Sequence, residues 1–358
     1  VANFYDITTW STKEWFQTGG TRNKLIVVNP SNNSDYYFKC SLKREVIDYK
    51  YEFWSEIIAS EVGHFLGFDI LKYDIAYNGK EVGCISESMT KEGINKLSEG
   101  KQYLTAFRPT YNPELKSSKK EYNFQFIKNS LKFAGLNQFI NNIIQTIIFD
   151  AIIGNSDRHQ ENWGIITKLS NSSTQTLIDK ILFTRQTLID KFLSTNYSNA
   201  AIYLLDDPIS FARKLRLFLK RSIHLESLDS FSKIYDSGSS LGREIPDSNI
   251  ILMLKNPYLI ENYIKKGKSE IHWESNKCNH MELLAKVCVE HKREVKRVLK
   301  RVEKRYNKQN IEDIVNNIDL HLPKELIYYK LLDERKNLII KLITLRVDLL
   351  LSFLYESN

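Results

Sequence analysis

The sequence predicts an α+β fold in two lobes, a small strand-rich lobe over residues 1–90 followed by a larger, mostly helical lobe over residues 91–358. Three stretches carry that prediction. LIVV (25–28) and YYFKC (36–40) flank the polar NPSNNSD, the pattern of two strands joined by a turn. EFWSEIIASEVGHFLGF (52–68) sets Phe53, Ile57, Ile58, Val62 and Phe65 at helical spacing. FINNIIQTIIFDAIIG (139–154) places Ile140, Ile143, Ile144, Ile147, Ile148 and Ile152 on one helical face and stops at Gly154.

In the first lobe the strand pair leads into the 52–66 helix, with Gly67 as its stop. LKYDIAYNGKEVGCIS (71–86) then reads as two short strands around Asn78-Gly79, a dipeptide that tolerates the positive φ of a tight hairpin turn. From about residue 92 the character changes to helix. Downstream of the Ile-rich stretch, 281–306 and 325–355 carry long helical patterns. Between the Ile-rich stretch and these patterns, QTLIDKILFTR (175–185) is repeated at once as QTLIDKFLSTN (186–196). An 11-residue period keeps one face of a helix aligned, so the repeat reads as one amphipathic helix; two copies are too few for a solenoid.

Composition narrows the class. With 42% hydrophobic and 12% aromatic residues the chain can bury a sizeable core, which excludes a disordered tail. Fifty-one Lys and Arg against 43 Asp and Glu give a net charge of +8, which suits an anionic ligand or simply a soluble surface. Cys40, Cys84, Cys278 and Cys288 form no Cys-x-x-Cys pair, which points to a reducing compartment. The longest apolar run, near the C-terminus, is broken by Lys341, Arg346 and Asp348, so no membrane span is expected. No basic-then-apolar signal opens the chain.

The charged residues suggest phosphoryl transfer, which needs few groups in fixed roles. A Gly-containing turn must let backbone N–H groups approach the phosphates; in TGGTRNK (18–24), Gly19 and Gly20 allow that approach just before a strand. A strand Lys must neutralise them, and Lys39 ends the run Tyr36-Tyr37-Phe38. A helix acid must hold that Lys, and Glu52 and Glu56 both lie on the 52–66 helix. In GNSDRHQENWGII (154–166), Asp157 and Asn162 stand five apart: one carboxylate for the hydroxyl, one amide oxygen for a metal. His159 reads as a residue that braces this loop. A second metal acid should close a later strand. KIYDSGSSLG (233–242) offers Asp236 in an Asp-x-Gly, while Asp206-Asp207 before Pro208 reads as a turn, with Asp206 as the alternative.

TGGTRNK, YYFKC, EFWSEIIASEVGHFLGF, FDAIIGNSDRHQENWGII and FSKIYDSGSSLG together resemble the HipA-like bacterial serine/threonine kinases. They are most similar to a short branch that lacks the extra N-terminal subdomain and includes a secreted pro-inflammatory kinase. The resemblance covers roughly residues 15–90, 136–166 and 231–243, with weaker matching through EIHWESNKCNHMELL (270–284). It implies a two-lobed protein-kinase-like fold with ATP and Mg²⁺ between the lobes, an activity on Ser or Thr of a protein substrate, and autophosphorylation. In the family the helix acid stands eleven residues before the Gly of an "LG" turn, so Gly67 points back to Glu56. Lys39 would then hold the phosphates, with Gly19, Gly20 and Thr21 in the turn above them. Asp157 would be the catalytic carboxylate, Asn162 and Asp236 the metal ligands, and Ser86, Glu87 and Met89 part of the hinge against adenine. The family joins the two metal ligands by a short hairpin, whereas here they lie 74 residues apart. The duplicated helix and RKLRLFLKR (213–221) therefore read as an insertion near 167–231. HipA toxins inactivate themselves on a Ser of the Gly turn; Gln17 stands there, with Thr18 and Thr21 nearby, so that route is not expected.

Other signals are weaker. Cys278-x-His280 and Cys288-x-x-His291 match no standard zinc spacing and fall partly on the continuous 281–306 helix pattern. HKREVKRVLKRVEKR (291–305) is a basic amphipathic helix able to meet nucleic acid, acidic lipid or an acidic protein, but without interleaved aromatics it reads as a solvated helix covering the lobe. The expected partners are a protein substrate and either an antitoxin or a host target. The expected location is the bacterial cytoplasm, or a host cell reached without a signal peptide. The alternatives are a small-molecule phosphotransferase and a non-catalytic nucleotide- or nucleic-acid-binding regulator.

Overall fold

Cross-strand pairing of LIVV with YYFKC builds the centre of the first sheet. In this computed structural model, which describes residues 1–13, 24–43, 49–169 and 229–355, β1 (Phe4–Asp6), β2 (Ser11–Thr12), β3 (Lys24–Val28) and β4 (Asp35–Lys39) precede helix α1 (Glu52–Leu66). Strands β5 (Asp74–Tyr77) and β6 (Val82–Glu87) follow it. The six-stranded sheet runs β1-β5-β6-β4-β3-β2, antiparallel throughout except for the β1–β5 pair. The β5–β6 hairpin turns at Asn78-Gly79 as the dipeptide predicts, with Gly79 at φ 90°. Asn78 Oδ1 accepts from the Lys80 and Glu81 amides.

Helix α1 stops at Gly67 (φ 84°), whose amide bonds back to the last turn. The apolar spacing predicts one buried face, yet 12 of the 15 residues are buried. The helix is covered by the sheet on one side and by the C-terminal segment on the other, where Trp54 Nε1 donates to the Tyr329 carbonyl at 2.8 Å. A helix wrapped on both sides can carry buried acids only if each has a partner.

The second lobe opens with β7 (Asn95–Glu99), a strand that the sequence pattern did not suggest, then α2 (Gly100–Phe107), α3 (Phe124–Phe133) and α4 (Ile140–Ile153). The predicted Ile face of α4 is buried, and Gly154 caps the helix at φ 68°. Arg346 fills the space where a side chain at Gly154 would lie and donates to the Ile153 carbonyl at 3.1 Å. Strand β8 (Gly164–Lys168) lies between β7 and β9 (Asp229–Phe231) in an antiparallel three-stranded sheet. Thr167 pairs with Asp229, so the two described ends of the intervening stretch lie side by side. The duplicated stretch, RKLRLFLKR and Asp206 lie there, outside the described residues.

Helices α5 (Asp247–Lys255), α6 (Pro257–Lys266), α7 (His280–Glu290), α8 (Lys292–Arg305), α9 (Lys308–Asn316) and α10 (Asp333–Ser352) complete the lobe, with α7, α8 and α10 packed around α4. The sequence pattern over 281–306 is not one helix; it breaks at His291 (φ −130°). A straight helix of that length would run about 39 Å, well past the roughly 21 Å of α4. The break lets Leu283, Leu284 and Val287 as well as Val295, Leu299 and Val302 be buried. Likewise the 325–355 pattern is a 3-10 helix over Lys324–Tyr329 and becomes α-helix only at Asp333. Asp319 accepts from both the Leu331 amide and Lys336 Nζ, tying the preceding segment into a turn. No helix among the described residues is long and apolar enough to cross a membrane.

His280, at the first turn of α7, is buried with Nε2 unbonded to any described group. Burial, helped by the nearby Arg346 charge, pushes its pKa down to about 3. Above the ordinary value of 6.5 both states hold a neutral ring. Below it the unfolded chain takes up a proton that the folded chain refuses, so stability falls with falling pH until about 3. The expected slope from this group is at most about 1.4 kcal/mol per pH unit. Urea unfolding of His280→Gln between pH 7 and pH 4.5 should show a flatter acid limb than the wild type; equal slopes would remove His280 as the cause.

Candidate active site

Lys39 closes β4 at the inner end of an interlobe cleft and is 7% exposed. Its Nζ donates to Glu56 Oε1 and to Asp236 Oδ1, both at 2.6 Å. Burial pulls the ammonium down, but Asp236 and then Glu56 outweigh it and hold its pKa well above that of an ordinary lysine. Gly83 on the central strand β6 makes room for this: a Cβ there would meet the Lys39 carbonyl oxygen at 2.3 Å.

Glu56 is fixed from its other oxygen, where Oε2 accepts from the Ser237 amide at 2.7 Å. The Asp-x-Gly turn is tight for a specific reason. Asp236 itself takes the left-handed conformation (φ 56°), while a Cβ at Gly238 would meet Glu52 Cγ at 3.0 Å and Glu56 Oε1 at 3.1 Å. The glycine is required by the approach of α1, and the chain reversal happens two residues earlier.

The 154–162 loop hangs from the end of α4 on one buried ion pair. Asp150, in the last turn of α4, accepts from Arg158 Nη2 at 2.8 Å and Nε at 3.0 Å, and from Asn155 Nδ2 at 3.0 Å. Arg158 also donates to the carbonyls of Asn162 (2.9 Å) and Tyr235, linking the loop to the chain before Asp236. Asn162 Nδ2 donates to the Asp157 carbonyl at 2.8 Å, which leaves its Oδ1 for the cleft. Ser239 Oγ donates to Asp157 Oδ2 at 3.3 Å.

The cleft has a volume of about 390 Å³, within the range that holds small organic ligands. Leu71, Met89 and Leu97 supply apolar wall, while Lys24, Ser86, Ser88 and Thr90 supply polar groups. Asp157, His159, Glu161 and Asn162 line it from the second lobe, and Lys39 from the first. Ser88 is tied down by the Asp35 carbonyl and by Thr90, whereas the backbone N–H and C=O of Met89 bond to no other described residue.

The structure thus brings Lys39, Glu56, Asp157, Asn162 and Asp236 to one cleft, with Ser86 and Met89 on its wall. Glu87 is exposed and does not line the cleft. Gly19, Gly20 and Thr21 lie outside the described residues. His159 accepts from the Glu161 amide at 3.3 Å through Nδ1, but the main brace is Arg158 with Asp150, which sequence reading passed over. The signal was present: an acid inside the apolar run IIFDAII must be paired. Glu52, set aside for Glu56, is also buried and bonded to Arg243.

The sequence matches no family model and no curated protein. Among solved structures, the Helicobacter pylori proinflammatory kinase CtkA superposes with a TM-score of 0.67 at 16% identity, covering 99% of each chain. The HipA toxin of Shewanella oneidensis MR-1, solved with HipB and its operator DNA, gives a TM-score of 0.49 at 11% identity over 98% of this chain and 69% of that one. The likeness read from five short stretches therefore extends, at the level of fold, along the whole chain, which has the two-lobed, kinase-like architecture of CtkA.

Proposed function

We propose that the protein is an ATP- and Mg²⁺-dependent kinase that phosphorylates Ser or Thr hydroxyls of proteins, itself included. The observation that carries this reading is the convergence of Lys39, Glu56 and Asp236 beside the Asp157–Asn162 loop. One ammonium between two carboxylates leaves a formal negative charge at the inner end of the cleft. The Asp236 carboxylate and the Asn162 Oδ1 are hard oxygen donors, the set that Mg²⁺ takes. When bound, the metal would neutralise phosphate charge. The protein's own residues do the rest. Lys39, steadied by Glu56, would bind phosphate oxygens. Met89 would offer its free backbone groups to adenine between Leu71 and Leu97. Asp157 would orient the acceptor hydroxyl and take its proton on the carboxylate oxygen facing the cleft.

Incubation with γ-labelled ATP and Mg²⁺ tests this. Label is expected on the protein itself or on a protein acceptor, on Ser or Thr. Label on a small hydroxylated acceptor alone would mark a small-molecule phosphotransferase. No label anywhere, with Asp157→Asn indistinguishable from wild type, would leave a non-catalytic binder.

A further inference from the structure

Asp157 has a fixed backbone and a carboxylate with little to hold it. Its amide donates to Asn155 Oδ1 at 3.2 Å and its carbonyl accepts from Asn162. Among the described residues, Ser239 provides the one side-chain bond to the carboxylate. Ser239 is 7% exposed and is itself held. Its Oγ accepts from Arg243 Nη2 at 2.9 Å, which directs its single hydrogen away from the arginine, toward Asp157. Its carbonyl accepts from the Ser156 amide at 3.2 Å, and two residues on the Leu241 amide donates to the Ile153 carbonyl at 3.0 Å. The 239–241 segment is thereby zipped to the end of α4.

Arg243 is immobilised in turn. It pairs with the buried Glu52 of α1 and lies over the Tyr49 ring at 4.1 Å. Glu52 accepts the Leu42 amide at 2.9 Å as well, so it cannot swing freely. Two chains therefore leave α1, one turn apart. Glu56 leads to Lys39 and Asp236, and Glu52 leads through Arg243 and Ser239 to Asp157.

We infer that Ser239 and Arg243 are positioning residues that fix the rotamer of the Asp157 carboxylate for the acceptor hydroxyl, with α1 as the common anchor. The inference rests on the kinase reading above. An aspartate has two side-chain torsions, and misplacement of a reacting group by about 1 Å can cost on the order of a hundredfold in rate. The Ser239–Asp157 bond at 3.3 Å is long, as such bonds often are before substrate arrives, and should tighten on binding.

The test compares wild type, Ser239→Ala, Ser239→Thr and Arg243→Lys in steady-state transfer from Mg-ATP to a generic protein acceptor, alongside thermal unfolding. Ser239→Ala should lower kcat by about ten- to a hundredfold, with KM for ATP within about twofold and an unchanged melting temperature. Ser239→Thr, which keeps the hydroxyl, should recover most of kcat. Arg243→Lys should fall between, because an ammonium cannot hold Glu52 and Ser239 in one plane. The inference is overturned if Ser239→Ala matches wild type, if threonine is no better than alanine, or if the loss tracks KM or unfolding. A wild type that transfers no phosphate to any acceptor removes the kinase reading itself, and the inference with it.

Discussion

Asp157→Asn is expected to reduce phosphoryl transfer by about 10²- to 10⁴-fold while leaving nucleotide affinity within about twofold of wild type. The amide is nearly isosteric and still accepts from Ser239 through its oxygen, so the loop geometry has little reason to change. What it loses is the second anionic oxygen, the one able to receive a proton from an acceptor hydroxyl. The nucleotide is held by other groups, Lys39 at the inner end and the Met89 backbone at the wall, neither of which bonds to Asp157. Isothermal titration with a non-hydrolysable ATP analogue, beside a transfer assay, separates the two effects. Retained activity would remove Asp157 from the chemistry, and lost affinity would move it to the binding step.

Arg158→Met should be the most destabilising single change in the loop, by about 3–5 kcal/mol. The Arg158 guanidinium is 1% exposed and serves four acceptors: the Asp150 carboxylate, the Asn162 and Tyr235 carbonyls and the Ser237 hydroxyl. Burial opposes its charge, yet Asp150 outweighs burial and keeps it protonated at any ordinary pH. Methionine has similar length and no donors. It would leave the Asp150 carboxylate buried with Asn155 as the only side-chain donor among the described residues, and it would unhook the loop from Tyr235, one residue before Asp236. A lowered urea midpoint is expected, together with loss of transfer. The double variant Asp150→Leu/Arg158→Met should recover much of the stability, because no buried charge remains, but not the transfer. A double variant no more stable than the single one would show that Arg158 acts through its carbonyl partners instead.

How much of this was legible in the sequence follows from which forces are local. The β3–β4 and β5–β6 hairpins, α1, and α4 with its Gly154 cap rest on turn chemistry and periodicity over a few residues, and each stands where the pattern placed it. Strands β1, β2 and β7 are three, two and five residues long and draw their order from partners distant in sequence, so no short window reveals them. The break at His291 is also non-local, since it depends on the length of α4. In the cleft, the five-residue spacing after a buried helix brought out Asp157 and Asn162, and the Asp-x-Gly shape brought out Asp236 with Asp206 as the alternative. Arg243 and Ser239 were missed because their contacts span 191 positions to Glu52 and 82 to Asp157. Asp150 and Arg158, by contrast, stand only eight apart, and their pairing was passed over although the buried acid called for it.

Helix α1 and Tyr51 just before it reach across to the second lobe, among the described residues, through five side-chain bonds: Tyr51 to Asp247, Glu52 to Arg243, Trp54 to the Tyr329 carbonyl, Ser55 to the Ser240 carbonyl and Glu56 to the Ser237 amide. At roughly 1 kcal/mol net apiece, these bonds alone set a cost of about 5 kcal/mol on withdrawing the helix, before any apolar burial is counted. Turning a 99:1 population into its inverse takes about 5.5 kcal/mol. A conformer with α1 swung out is thus a minority of well under 1% at rest, and an effector would need a matching preference to populate it. An effector acting by swinging α1 would have to supply that energy itself, since the helix is already latched before any ligand arrives.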